Sequence, residues 1–306
     1  MSNPGARRTA GDQPAADGGV FGNSGVRVVP GCRVMDWQGQ FDGASLQAFK
    51  QCVIDINNAE RQRAVENIPH VRMAKFMVGK AMAKAPKATQ RTLLRYKDQL
   101  VQVERELTGV LNGKYPQKLL MMNSPGGYVY TLHGLLPYLG KSIDIYGGQM
   151  IASAGGVAFV SGKGKRIMTE SGGQLGIHSV QSGGEGSVRD VEFSLNEMKK
   201  TNRFLEKQYV TNSKGKVTPE QFRGWVAEAS TSPAGMKWLT GRQSMQYGLC
   251  DGLCRDPNKL MDGYRPQEIT PLLQEVKLFL EGNKLMEPRP DGPPPGHRPP
   301  HGPRPQ

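Results

Sequence analysis

The chain has 306 residues, 37% of them hydrophobic and 22% charged, and a formal net charge of +13. That length allows one large domain or two small ones. No apolar run reaches the ~18 residues a membrane-spanning helix needs, and the four cysteines (Cys32, Cys52, Cys250, Cys254) are too few and scattered for a disulfide framework.

Residues 1–24 mix Gly, Ala, Pro and Asp without periodicity, the composition of a disordered N-terminal segment. Arg7 and Arg8 have no apolar stretch behind them, which argues against a secretory signal and for a cytoplasmic chain. Val26-Arg27-Val28-Val29 suits a first strand, ended by Pro30-Gly31. From Phe41 to about Asn58 a helix is expected. Leu46, Phe49, Val53 and Ile56 recur there at spacings of three and four, after Asp42 and Ser45 as candidate caps.

Residues 61–114 differ in kind. They hold 12 Lys/Arg against 4 Asp/Glu, so most of the net charge sits there. Leu93, Tyr96, Leu100, Val103, Leu107 and Val110 form one apolar stripe at helical spacing. Pro86 should interrupt or begin that helix, and Gly113 should end it. The segment is either a helical hairpin packed on its own domain or an arm that meets a partner. Charge this local is a poor argument for a nucleic-acid module, and nucleic acid is not expected as a partner.

From Lys118 onward strands and helices alternate. Leu119–Met122 is a short buried-strand run, followed by a helix over Leu132–Leu139, a strand at Ile143–Tyr146 and a helix from Ser153 to Val160. Ile167-Met168 and Leu175–Ile177 suit further strands. Val188 to about Val210 suits a long amphipathic helix with Val191, Leu195, Met198 and Leu205 on one side. This rhythm predicts an α/β fold with a largely parallel sheet. Residues 286–306 are Pro-rich with Arg and His, the composition of an extended tail, and His297 and His301 belong to it as composition rather than as ligands.

Three short segments carry the chemistry. They are Asn123-Ser124-Pro125-Gly126-Gly127, Ile151-Ala152-Ser153-Ala154-Gly155-Gly156 and Gly176-Ile177-His178. A glycine turn after a strand can aim backbone N–H groups at an oxyanion. A serine opening a helix lies beside free N–H groups and the positive dipole end, and a histidine is the usual base that takes its proton. Each segment also has a plain reading: a turn, a small-residue helix contact, a core histidine. Together they describe a serine acyl-transfer site. No metal or organic cofactor is implied, and Cys250 and Cys254 lack the companions of a zinc site.

In this order, with Gly148-Gln149 before Ala152-Ser153, Lys163-Gly164-Lys165-Arg166, His178 twenty-five positions after the serine, and Tyr247-Gly248-Leu249-Cys250-Asp251, the segments resemble the ClpP family of self-compartmentalised serine peptidases. The resemblance covers about 115–255 and continues weakly back to residue 26. It implies a crotonase-like spiral of ββα units, with residues 25–285 as the peptidase domain and 61–114 inserted in it. It implies Ser153 as nucleophile, His178 as general base, and the N–H groups of Gly127 and Ala154 as oxyanion hole. Gly183-Gly184 and the helix after it would correspond to the region where the family's two rings meet. A homo-oligomeric ring, an AAA+ ATPase unfoldase and peptide or unfolded protein as substrate follow as expected partners, with no membrane.

The resemblance breaks at the third triad member, which is left unassigned. Counted back from Tyr247, the family's aspartate position holds Met236, and 230–235 contains no acid. Glu228 is the nearest upstream carboxylate, and Thr231, Ser232 or a backbone carbonyl are the other candidates to orient His178. Two alternatives stand beside an active peptidase: a catalytically weak structural subunit of the same family, and a crotonase-type acyl-CoA enzyme that uses the oxyanion N–H groups alone.

Overall fold

The computed structural model describes residues 25–181 and 185–286. The expected disordered segment 1–24, the tail beyond Met286 and the Gly183-Gly184 pair lie outside the described residues. The chain divides into two compact units. One holds 25–58 and Pro116–Pro266, the other Ala59–Tyr115 and 267–286.

The first unit is built on a sheet of eight strands among the described residues: β1 (Gly25–Val28), β2 (Val34–Gln38), β3 (Lys118–Ser124), β4 (Ile143–Ala152), β5 (Arg166–Thr169), β6 (Gln174–Ile177), β7 (Lys237–Thr240) and β8 (Gly252–Cys254). β1 and β2 form an antiparallel hairpin, and β2, β3, β4, β5 and β8 then run parallel in that spatial order. The strand expected to close at Tyr146 continues to Ala152, so β4 serves two neighbours. Ile145–Gly147 pairs with β5, and Met150–Ala152 pairs in parallel with Gln174–Gly176 of β6. β7 closes antiparallel on β6. Because β3, β4 and β6 run the same way, their C-terminal ends open on a common edge, where ligands of parallel sheets gather.

Helices cover the sheet: α1 (Gly43–Lys84), whose part up to Asn58 belongs to this unit, then α3 (Val129–Leu135), α4 (Ser153–Ser161), α5 (Val188–Asn212), α6 (Pro219–Thr231), α7 (Gly241–Gln246) and α8 (Pro257–Asp262). The core includes Trp37, Phe41, Phe49, Leu120, Ile145, Phe159 and Leu175, all fully buried. Trp37 stacks on Phe41 with ring centroids 4.4 Å apart. The stripe expected along α5 is buried only at its C-terminal end. Leu205 and Tyr209 are inside, against Phe222 and the body of the unit, whereas Val191 and Leu195 are exposed. The first turns of α5 extend past the core that would have covered them.

The second unit contains the rest of α1, then α2 (Lys87–Leu111) and α9 (Thr270–Gly282). All six residues of the expected α2 stripe are buried, against Ala64, Val71 and Val78 of α1 and Val276 and Leu280 of α9. Pro86 stands immediately before α2, and Gly113 follows it with φ +78°. α1 runs well past its expected end at Asn58. Pro69 deletes one main-chain donor without stopping the helix, because Ala64, Ile68, Val71, Ala74 and Val78 keep a buried stripe at helical spacing on either side of it.

Candidate active site

The end of β3 is fixed before the glycine turn begins. Asn123 accepts the Met150 N–H through Oδ1 (3.0 Å) and donates to Gln38 Oε1 (3.2 Å), tying three parallel strands at one level. Ser124, fully buried, accepts the Gly126 N–H at 3.1 Å and sets the bend. Gly126 and Gly127 then adopt φ +108° and +144°. The Phe41 N–H donates to Gly126 O (2.6 Å) and the Tyr128 N–H to Phe41 O (2.8 Å), so this turn is laced to the segment before α1. A side chain on Gly127 would strike the Phe41 backbone. The Gly127 N–H is left without an acceptor among the described residues.

Ser153 is the first residue of α4 and has φ +54°, directly after an extended Ala152. A non-glycine residue in the left-handed region costs on the order of 1–3 kcal/mol and persists only where the surroundings impose it. A strained junction of strand and helix lifts a serine hydroxyl clear of its own backbone and sets it at the helix N-terminus. The N–H of Ala154, one residue on, falls in the first turn, where no intrahelical acceptor exists. Nothing in residue spacing reveals that φ angle; it follows from ending β4 and starting α4 with no linker.

His178 follows β6 directly. The β4–β6 register sets Ala152 beside Gly176, so Ser153 and His178 leave neighbouring parallel strands within a residue of each other. Both line a cleft of about 410 Å³ with Gly127 and Ala154, so the four residues expected from sequence meet in one cavity. Its walls include Leu132, Leu205 and Met236, and no charged side chain lines it among the described residues. Burial pushes the His178 pKa below the ordinary histidine value, with the Ser179 backbone acting weakly the other way. Nδ1 is buried and has no hydrogen-bond partner among the described residues.

The side chains expected to orient that ring are engaged elsewhere, which leaves the Ser179 backbone as the polar group that acts on it. Glu228 pairs with Lys237. The Thr231 hydroxyl donates to Glu228 O at 3.1 Å, and Ser232 Oγ accepts the Ala234 N–H at 3.3 Å. Leu132, Leu205 and Met236 were not singled out as cleft residues from sequence. Only Met236 carried a signal, its distance from the Tyr247 segment.

Behind the site, Arg166 is buried and chelated by Asp251, with Nη2 to Oδ1 at 2.9 Å and Nε to Oδ2 at 3.1 Å. Its remaining N–H groups donate to the carbonyls of Val160, Asn212 and Gly248. Partial burial would raise the Asp251 pKa, but Arg166 and Lys214 hold it well below the usual carboxylate range. Asp190 completes a capping box with Ser187 at the start of α5. Cys250 is buried, its thiol pushed up to about 11 by desolvation, and Cys254 donates to Asp256 O at 3.2 Å. No helix among the described residues is long and apolar enough to cross a membrane.

A serine at a strained strand-to-helix junction, a histidine at the end of the adjoining strand and a glycine turn between them define a hydrolase-like site on an α/β sheet. The Clp protease family model matches residues 107–257, a span that takes in β3 through β8 and every residue assigned to the cleft. Through that segment the chain matches the Clp protease family, its mixed sheet with flanking helices fits a ClpP-like α/β fold, and the match supports a peptidase at the level of the family.

Proposed function

We propose that the chain is a serine-type endopeptidase that cleaves peptide bonds through an acyl-enzyme on Ser153. The observation that carries this reading is the left-handed backbone of Ser153 in a cleft shared with His178 and Gly127. Since Nδ1 of His178 is buried, Nε2 is the nitrogen left to exchange a proton. The neutral ring takes the Ser153 proton as Oγ attacks the scissile carbonyl. The N–H groups of Gly127 and Ala154 receive the oxyanion, and the imidazolium returns the proton to the leaving amine. Water activated by the same ring then attacks the acyl carbon and frees Ser153.

Family members generally form oligomeric rings that work with AAA+ ATPases. We extend this to a homo-oligomeric ring that receives peptide or unfolded protein, with ATP consumed by the partner. A second reading, a subunit of weak activity with a structural role, is favoured by one observation, the unpartnered Nδ1.

A fluorophosphonate probe tests the assignment. Folded wild-type protein is expected to label, Ser153→Ala to abolish labelling, and His178→Ala to slow it about 10²- to 10⁴-fold. A folded, assembled wild type that does not label decides for the structural subunit. Labelling that survives His178→Ala at full rate removes His178 as the base.

A further inference from the structure

His178 has a neighbour across the β6–β7 pairing. β6 and β7 pair antiparallel with Ile177 opposite Lys237, so one step past each strand His178 and Met236 stand side by side. Met236 lines the same cleft as His178. Its Sδ lies over Gly176, 3.0 Å from where a Cβ on that glycine would be, so the side chain is turned in along β6. The side-chain oxygens of the segment leading into β7 are occupied by their own neighbours: Ser230 and Thr231 by carbonyls of α6, Ser232 by the Ala234 N–H, Glu228 by Lys237. A thioether is a weak acceptor that neither fixes a tautomer nor balances an imidazolium.

We propose that Met236 occupies the place beside His178 where an orienting carboxylate would stand, so that Ser153 and His178 act as a two-member pair with no side-chain acceptor for Nδ1 among the described residues. The inference rests on the reading of Ser153 as nucleophile and His178 as base. Its consequence is a slow enzyme with a correctable defect. In the chymotrypsin-type triad, loss of the orienting carboxylate costs on the order of 10⁴ in rate with the geometry intact.

His178 is the titratable histidine of the cleft, and no charged residue lines the cavity with it among the described residues; on the adjoining elements Lys237 of β7 pairs with Glu228 of α6, Glu206 of α5 pairs with Arg223, and Arg203 of α5 lies two residues from the lining residue Leu205. A carboxylate at 236 would therefore be the one charged side chain lining the cleft with His178 among the described residues. The test compares wild type, Met236→Asp and Met236→Leu by the rate of fluorophosphonate labelling across pH. Met236→Asp is expected to raise the rate by at least about tenfold and to move the acid limb to higher pH, because a carboxylate stabilises the imidazolium. Met236→Leu, which adds no carboxylate, is expected to leave the acid limb at its wild-type position. An unmoved limb and unchanged rate in a folded Met236→Asp, or an equal gain in Met236→Leu, overturns the proposal. No labelling in wild type or in Met236→Asp overturns instead the Ser153–His178 reading. If Met236→Asp does not fold, ¹⁵N spectra of the His178 ring in the wild type decide. A mixture of neutral tautomers is expected, and a single Nδ1–H tautomer with a strongly downfield proton overturns the proposal.

Discussion

Ser153 and Gly126 constrain one another. At Gly126, with φ +108°, an added Cβ would run into Ser153 Cβ and come within 2.9 Å of Ala152 O. The turn that supplies the Gly127 N–H therefore fits against the strained serine only while residue 126 has no side chain. His178 is governed by a different force, desolvation, which disfavours its charged form. A general base must be neutral to accept a proton, and a lowered pKa keeps the ring neutral further into acid. The acid limb of Ser153 labelling in the wild type is therefore expected below the ordinary histidine value of about 6.5, measured as labelling rate between pH 4 and 8 as the ~ working range; a limb above that value would contradict the burial of the ring. Residue type and order were enough to nominate Ser153, His178, Gly127 and Ala154. The left-handed serine and the lack of a partner for Nδ1 among the described residues were not legible, because both depend on how separate strands end beside each other.

Elements were legible in proportion to their periodicity. The α2 stripe was complete in the sequence because six apolar residues over five turns leave one face for the core, whatever packs on it. α5 misled for the same reason: Val191 and Leu195 obey the spacing, yet the unit ends before it reaches them. β2 was missed because Asp36 interrupts an apolar run; in the fold it is buried and bonded by Arg27 (3.2 Å) and Gln38 (2.6 Å), so a charge sits in an interior strand at no loss of partners. The basic character of 61–114 is partly neutralised within the second unit, where Glu104 binds both Arg72 and Lys75 and has its pKa lowered by them. Packing rather than these exposed pairs should carry that unit's stability. Leu100→Ala is expected to cost about 2–5 kcal/mol, and Leu94→Ala, on the exposed face of the same helix, to stay within about 0.5 kcal/mol. Denaturant unfolding followed by far-ultraviolet circular dichroism measures both, and equal losses would remove the stripe as the organising contact.

Across the first unit, the arrangement of strands that builds the cleft depends on one buried cation. Arg166 starts β5, and its guanidinium gathers the end of α4 at Val160, the end of α5 at Asn212 and the approach to β8 at Gly248 and Asp251. α4 begins at Ser153, so the carbonyl that Arg166 holds belongs to the helix whose other end presents the proposed nucleophile. Lys163-Gly164-Lys165-Arg166 entered the sequence reading only as one mark of the family resemblance; that its last residue turns inward was visible only in the partner it meets 85 residues later. Removing the carboxylate leaves an uncompensated charge in the interior, which costs more than the pair contributes. Asp251→Asn is therefore expected to lose about 3 kcal/mol or more, whereas Lys214→Ala, at the exposed rim of the same carboxylate, should lose less than about 1 kcal/mol. Because the folded-state pKa of Asp251 is lowered, its contribution is complete above the ordinary carboxyl value of about 3.9 and is lost as pH falls toward the folded value. The gap between wild type and Asp251→Asn should thus be full at neutral pH and narrow as the pH drops below about 4. Trp37, Trp225 and Trp238, the three tryptophans of the chain, all lie in this unit, so their fluorescence during urea unfolding reports the comparison. A gap that stays constant into acid would mean that Asp251 acts through shape rather than charge.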